Sequence, residues 1–302
     1  RMAELDVNEG IVELMEMRFP PPGTLLTPIF PAPTNARTFV ILRLLGVFAG
    51  ALAKAVDGYM PADQETIRYT GITGLDAAGQ WYLYREILGG GSGGRYYADG
   101  SDTVHVVPDS KNMPAEFIET SFPVRVERLA LATDSGGAGQ YRGGLGYLKE
   151  IRVLQNATFL SIADRSILSC WGLRGGRAGA PFRVTIDPGG PNERILPGLA
   201  NDIAVAAGEL IRIETTGGGG WGDPLERDPN LVGLDVLQGK VSASSATGDY
   251  AVVLAAGGVD SDATKELRER MRAECAEMPF FERGPGYERL SGGRRSAEVD
   301  FR

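Results

Sequence analysis

Thirteen residues near the middle of the chain, Asp134-Ser135-Gly136-Gly137-Ala138-Gly139-Gln140-Tyr141-Arg142-Gly143-Gly144-Leu145-Gly146, carry six glycines with one carboxylate, one hydroxyl and one guanidinium among them. A flexible linker consists of Gly and Ser without fixed aromatic or charged partners. Here the glycines are flanked by strand-like runs, Pro123-Val124-Arg125-Val126-Glu127-Arg128-Leu129 before and Tyr147-Leu148-Lys149-Glu150-Ile151-Arg152-Val153-Leu154 after. The backbone is therefore required to adopt positive φ, or to approach another segment closely, at fixed points such as Gly136, Gly137, Gly143 and Gly144. The segments Leu88-Gly89-Gly90-Gly91-Ser92-Gly93-Gly94 and Gly217-Gly218-Gly219-Gly220-Trp221-Gly222 make the same demand. Successive glycines lose much chain entropy on ordering, so fixing them needs close approach either to a ligand, with Gly218 and Gly219 as substrate-binding candidates, or to another strand.

Around these segments the pattern is α+β: predominantly antiparallel sheets, a long buried helix near the N-terminus and a helix near the C-terminus. Residues 9–19 read as a strand that ends at Pro20-Pro21-Pro22-Gly23. A helix follows over residues 36–57; its apolar positions surround nearly the whole cylinder, which predicts burial in a large core or against a partner subunit. Runs 66–73 and 80–87, joined by Asp76-Ala77-Ala78-Gly79, read as a hairpin. Short β runs at 148–154, 158–163, 182–186 and 209–213 favour packed antiparallel sheets over a βαβ array. Helices are expected over 229–239 and 262–277, and an extended Gly, Arg and Ser-rich arm after Glu282.

The chain has 302 residues, 43% of them hydrophobic, enough for a substantial core. A formal net charge of −8 argues against nucleic-acid or anionic-membrane partners; Gly292-Gly293-Arg294-Arg295 is the one basic hint and reads as a solvated tail. The helix over 36–57 contains Arg43 and Lys54 and is short for a bilayer span, and the acidic first ten residues are no signal peptide. Cys170 and Cys275 lie in unlike contexts and read as free thiols, so the expected compartment is the cytoplasm.

Among polar candidates, Arg142 is suited to clamping a carboxylate or a phosphorylated intermediate, with Asp134 orienting it; equally, Asp134 could accept amide hydrogen bonds while Arg142 ties strands together. Ser135 lacks a histidine base in its motif, which argues against a nucleophile and leaves it beside Gly136 and Gly137 as a substrate-binding candidate. Gly90 and Gly91 could form an anion-binding concavity or a tight strand crossing. The loop is followed by neither Gly-Lys-Ser/Thr nor a helix pattern, so it is neither a Walker nor a dinucleotide loop, and no ATP binding is expected of this chain. The single histidine, His105, lies in the alternating run Thr103-Val104-His105-Val106-Val107, as a structural residue or a proton carrier at an inter-subunit site. Glu116 and Glu119 share a face if a turn starts at Pro114. One histidine with scattered carboxylates supplies no metal site.

Three ordered segments carry a resemblance. Residues 134–146, then Cys170-Trp171-Gly172-Leu173-Arg174-Gly175-Gly176, then Thr215-Thr216-Gly217-Gly218-Gly219-Gly220-Trp221-Gly222-Asp223-Pro224 together resemble the hydantoinase B/oxoprolinase family, with Cys170 departing from the family's proline. The resemblance implies a longer protein whose N-terminal half carries a divalent metal, Zn, Mn or Fe, on His and Asp. With its Arg1-Met2 opening, this chain then reads as the C-terminal portion. It divides into 1–87 continuing an absent N-terminal part, 88–260 as the Gly-loop region, and 261–302 as helix and arm. The activity implied is ATP-dependent opening of a cyclic amide (a hydantoin, 5-oxoproline or a lactam) in a hetero-oligomer. The partners implied are a hydantoinase A-like subunit that holds ATP and Mg and a chain carrying the N-terminal half. Competing readings are a subunit of an acetone- or acetophenone-type ketone carboxylase and a non-catalytic scaffold.

Overall fold

The computed structural model describes residues 16, 18–34, 37–56, 58–65, 68–105, 111–274 and 278–292. The strand expected over 9–19 falls almost wholly outside them, as do Cys275 and the basic tail beyond Gly292. Two compact units are present, residues 1–45 and 46–302. In the first, the proline run turns at Gly23 (φ +95°), whose amide donates to the Thr27 carbonyl at 2.8 Å, while the Thr27 hydroxyl donates to the Pro21 carbonyl at 2.7 Å.

Helix α1 (Arg37–Ala55) forms where its run of apolar, non-proline residues predicts it. It is not buried in a core among the described residues, one of the two burials expected of it. Leu42 and Ala53 are covered, but Val47 and Phe48 are 66% and 62% exposed and Leu52 is exposed as well. All-round apolarity reports that a helix avoids water on every side, and the described residues cover only part of it.

The larger unit is built on two antiparallel sheets. The strands are β1 (Arg68–Leu75), β2 (Trp81–Leu88), β3 (Val124–Leu131), β4 (Tyr147–Val153), β5 (Ala157–Ile162), β6 (Gly172–Leu173), β7 (Arg183–Ile186), β8 (Arg194–Leu196), β9 (Leu199–Val205) and β10 (Leu210–Glu214). One sheet runs β2-β1-β5-β9 and the other β3-β4-β10-β7-β8. The β1–β2 hairpin closes at Asp76, whose Oδ1 accepts from the amides of Ala78 and Gln80 at 2.9 and 2.8 Å, and Gly79 takes the left-handed conformation the turn needs. Because β1 also pairs with β5, the division expected at residue 87 runs through one continuous sheet.

Alternation along β2 buries Tyr82, Tyr84, Glu86 and Leu88 and turns Trp81, Leu83 and Arg85 outward. The inward faces of both sheets meet in one apolar core that includes Ile72, Phe159, Ile151, Val184, Ile186, Ile211 and Ile213. Each fully buried aliphatic or aromatic side chain contributes about 1.5–3 kcal/mol relative to exposure. Helix α2 (Ala115–Ser121) adds Ile118 to this core.

Beyond β10 the chain is helical: α3 (Pro229–Leu237), α4 (Ala243–Gly248), the β11–β12 pair (Leu254–Ala255, Gly258–Val259), α5 (Ser261–Glu274), β13 (Phe281–Glu282) and α6 (Gly284–Ser291). Asp228 and Ser242 cap α3 and α4 by accepting the amides of Asn230 and Ser245. The described part of the arm expected after Glu282 is instead helix α6, with Pro285 in the first turn and Gly292 closing the end at φ +65°. Its Gly and Arg content hid start and stop signals that are present.

Candidate functional site

The glycine segments leave β2, β3 and β10 and lead into β4, so their backbones are delivered to one end of the second sheet. There they interlace. The Gly91 amide donates to Thr216 O (3.0 Å), Gly94 to Gly219 O (2.8 Å), Gly137 to Gly218 O (2.8 Å), Gly144 to Ser92 O (2.8 Å) and Gly218 to Gly144 O (3.0 Å). A Cβ on Gly143 would lie 2.0 Å from the Gly218 carbonyl oxygen, and one on Gly91 1.8 Å from that of Gly144. None of Gly136, Gly137, Gly143 and Gly144 has positive φ. Close approach of backbone to backbone, the second of the two demands drawn from the sequence, is the one that operates.

The amides of Gly90 and Gly91 donate to Val104 O and Thr216 O, so these donors serve the strand crossing. Gly219 donates to Asp63 O at 2.9 Å, bringing in the segment between α1 and β1. Ser135 is buried in the crossing, its hydroxyl donating to Ala132 O (2.6 Å) and accepting from the Gly146 amide (2.9 Å). Asp134 sits at φ +61° and accepts from the Ser242 amide at 2.7 Å, fixing the start of α4. It does not orient Arg142.

Arg142 is 2% exposed and belongs to a buried ionic network. Its Nη1 donates to Gly143 O at 2.6 Å and lies 3.5 Å from Asp102 Oδ1, and its Nε lies 3.4 Å from Asp235 Oδ2 on α3. Arg227 completes the network: it donates from both Nη atoms to the two oxygens of Asp99, at 2.6 and 2.8 Å, and from Nη2 to Asp235 at 2.8 Å. Lys240 reaches Asp102 at 3.0 Å. Burial alone would raise the Asp99 pKa, but the hydrogen bonds and charge of Arg227, with Arg142 beside it, hold it below the usual carboxylate range. Asp99, Asp102 and Asp235 were missed as partners because they lie 43, 40 and 93 positions from Arg142.

Two further buried polar groups flank the crossing. Asp63 pairs with Arg165 at 2.5 Å and Arg68 with Glu65 at 2.7 Å, close to Cys170, whose thiol burial pushes up to about 12. Inside the sandwich, Glu86 accepts from Tyr84, Lys149 and Asn112. Glu119 accepts from the Val126 amide at 2.8 Å, tying α2 to β3. His105 adjoins the crossing at Gly89, is half-buried, and has its pKa lowered by burial. Among the described residues no group of three or more His, Cys, Asp or Glu is placed to hold a metal ion, and no helix is long and apolar enough to cross a membrane.

The family model described as Hydantoinase B/oxoprolinase matches residues 2–224. The B component of a putative D-/L-hydantoinase from Pseudomonas sp. (strain NS671) is 32% identical over 265 residues, covering 87% of this chain and 44% of that protein. The crystal structure of an ATP-dependent caprolactamase from Pseudomonas jessenii superposes with a TM-score of 0.75 at 25% identity, covering 89% of this chain and 49% of the other. Nucleotide-free acetone carboxylase shares the fold, with a TM-score of 0.61 at 22% identity over 78% of this chain and 36% of that one. The chain spans about half the length of the curated relatives it matches.

Proposed function

Because the chain belongs to the hydantoinase B/oxoprolinase family, we propose that it is part of a B-type subunit in an ATP-dependent enzyme that opens a cyclic amide: a hydantoin, 5-oxoproline or a lactam. The observation that carries this reading is the joint match, over nearly the same span, to the B component of a hydantoinase and to the caprolactamase structure, both named for cyclic-amide substrates. ATP and Mg belong, in this reading, to a hydantoinase A-like partner, and the divalent metal to residues other than the described ones, which offer no ligand set for it. The exposed apolar side chains of α1 support assembly with a partner, since such a surface is costly in water.

Within that enzyme we assign the glycine crossing and the Arg142–Arg227 network a holding role. Arg142 faces Asp102, Asp235 and Gly143 O, so the fork is engaged within its own chain. Ser135, Asp134 and the amides of Gly90, Gly91, Gly137, Gly218 and Gly219 are likewise occupied by backbone partners. His105, at the edge of the crossing, is the remaining proton-transfer candidate.

The test is reconstitution. The chain co-expressed with a hydantoinase A-like subunit and with a chain carrying the N-terminal half should release ADP in step with ring opening of hydantoin, 5-oxoproline or caprolactam. ATP-dependent carboxylation of acetone with bicarbonate, without amide hydrolysis, would overturn the reading in favour of the carboxylase.

A further inference from the structure

The segment Trp171-Gly172-Leu173-Arg174 has a second face. Strand β6 pairs with β13, placing Phe281 opposite Leu173. Phe281 stands edge-on to Trp171 with ring centres 5.0 Å apart, and to Phe280 at 4.8 Å. This aromatic pair sits beside Gly50 of α1, where a Cβ would be at ordinary contact distance, 3.6 Å from Trp171 and 4.0 Å from Phe281. One helical turn later, Lys54 lies over the Phe281 ring with Nζ 5.7 Å from its centre. The guanidinium carbon of Arg283 lies 5.8 Å from the centre of the same ring and 4.7 Å from that of Tyr287. Arg174 lies over neighbouring Phe280 at 5.5 Å.

In a chain of net charge −8, two cations thus converge on one ring, and among the described residues neither Lys54 nor Arg283 forms an ion pair. The adjacent carboxylate does not neutralise them. Glu282 is turned inward, accepting from the amides of Ala178 and, at 2.7 Å, Gly284. A guanidinium close to two aromatic rings keeps its N–H donors for bidentate contact with a planar or tetrahedral anion, and the lysine adds a mobile point charge.

We propose that Lys54 and Arg283, on the platform of Phe281, Tyr287 and Trp171, bind the phosphoryl or carboxylate group of a small anionic molecule. The inference concerns a site outside the glycine crossing and does not depend on the hydrolase reading. Trp171 supplies the signal. The full chain is titrated at low ionic strength with inorganic phosphate and, separately, with acetate, each against sodium chloride of equal ionic strength, following tryptophan fluorescence. Saturable binding of phosphate, acetate or both beyond the chloride response is expected, and the stronger of the two identifies the group. Lys54→Gln and Arg283→Gln should each weaken it about tenfold, Arg283→Lys should weaken it less than Arg283→Gln, and Arg289→Gln, on the exposed side of α6, should leave it unchanged. Should Arg283→Gln lower the melting temperature, Lys54→Gln on the exposed helix end decides alone. A response no greater than that of chloride, or equal affinity in every variant, overturns the proposal. So does binding of a poly-glutamate peptide that Lys54→Gln abolishes when neither small anion binds, because the face would then dock a protein segment.

Discussion

The sandwich core and the glycine crossing are two solutions to filling a protein interior. Between the sheets, Ile72, Phe159, Val184, Ile186, Ile211 and Ile213 fill space with side chains, and neighbouring rotamers can adjust when a methyl group is lost. In the crossing, the filler is the peptide group itself: Gly91 meets Gly144 O, Gly143 meets Gly218 O and Gly217 meets Ser135 O, each closer than a Cβ would permit. A side-chain core tolerates exchange at a graded cost. A backbone core has nothing to repack, so added volume must be met by moving the chain.

The largest effect should therefore come from the smallest addition. Gly143→Ala places a methyl group 2.0 Å from a carbonyl oxygen in a hydrogen-bonded crossing and should cost on the order of 4–5 kcal/mol or prevent folding, beyond ordinary overpacking. Gly257→Ala, where no atom lies within 4 Å, should be neutral or slightly stabilising. Equal unfolding free energies for the two in urea would erase the distinction between the cores.

Next in size is the network that clamps α3 to the crossing. Arg142→Met removes one of two cations from Asp102 and from Asp235, which keep Lys240 and Arg227 respectively, and leaves Gly143 O without its guanidinium donor; it should cost about 2–3 kcal/mol, and Arg142→Lys, which keeps the charge and loses the fork, should fall between it and the natural chain. In the assembled enzyme, a drop in turnover at unchanged melting temperature for Arg142→Lys would instead favour direct contact with an intermediate. Because the Asp99 pKa is depressed in the folded chain, its contribution is present above the unfolded carboxylate value of about 4 and is lost as pH falls through the lower folded value. Asp99→Asn should flatten that acid limb, measured as melting temperature against pH.

The smallest effect belongs to the side-chain core. Ile186→Val, fully buried between β10 and β8, should cost about 0.5–1.5 kcal/mol by chemical denaturation. A loss as large as that of Gly143→Ala would mean that the sandwich is packed as rigidly as the crossing.

This contrast also separates what could be read from the sequence from what could not. Period-two runs located β1, β2, β4, β5, β7 and β10 to within a residue or two, because alternation is written locally. Strand β9 was not located: its run Leu199-Ala200-Asn201-Asp202-Ile203-Ala204-Val205 carries polar residues and a left-handed Asp202 at its bulge with β5. The glycine runs announced close approach, yet which backbone each would meet is a property of topology. Arg142 stood out in the sequence as the guanidinium of the central glycine segment. Its partners Asp102 and Asp235 arrive from distant parts of the chain, and no local pattern connects them.

The crossing also bears on the order in which the chain assembles. Its hydrogen bonds join Asp63 to Gly219, Gly91 to Thr216 and Gly137 to Gly218, pairings whose loop-closure entropy must be met before any contact repays it. The β1–β2 hairpin, the β4–β5 connection and the run from β7 to β10 have short loops, so these pieces are expected to form first. On this argument the glycine threads are expected to lock last, when every segment they depend on is already in register. A region with almost no side chains thereby acts as the checkpoint on a correct fold: a register error in any one of the crossing segments leaves a row of amides without carbonyls.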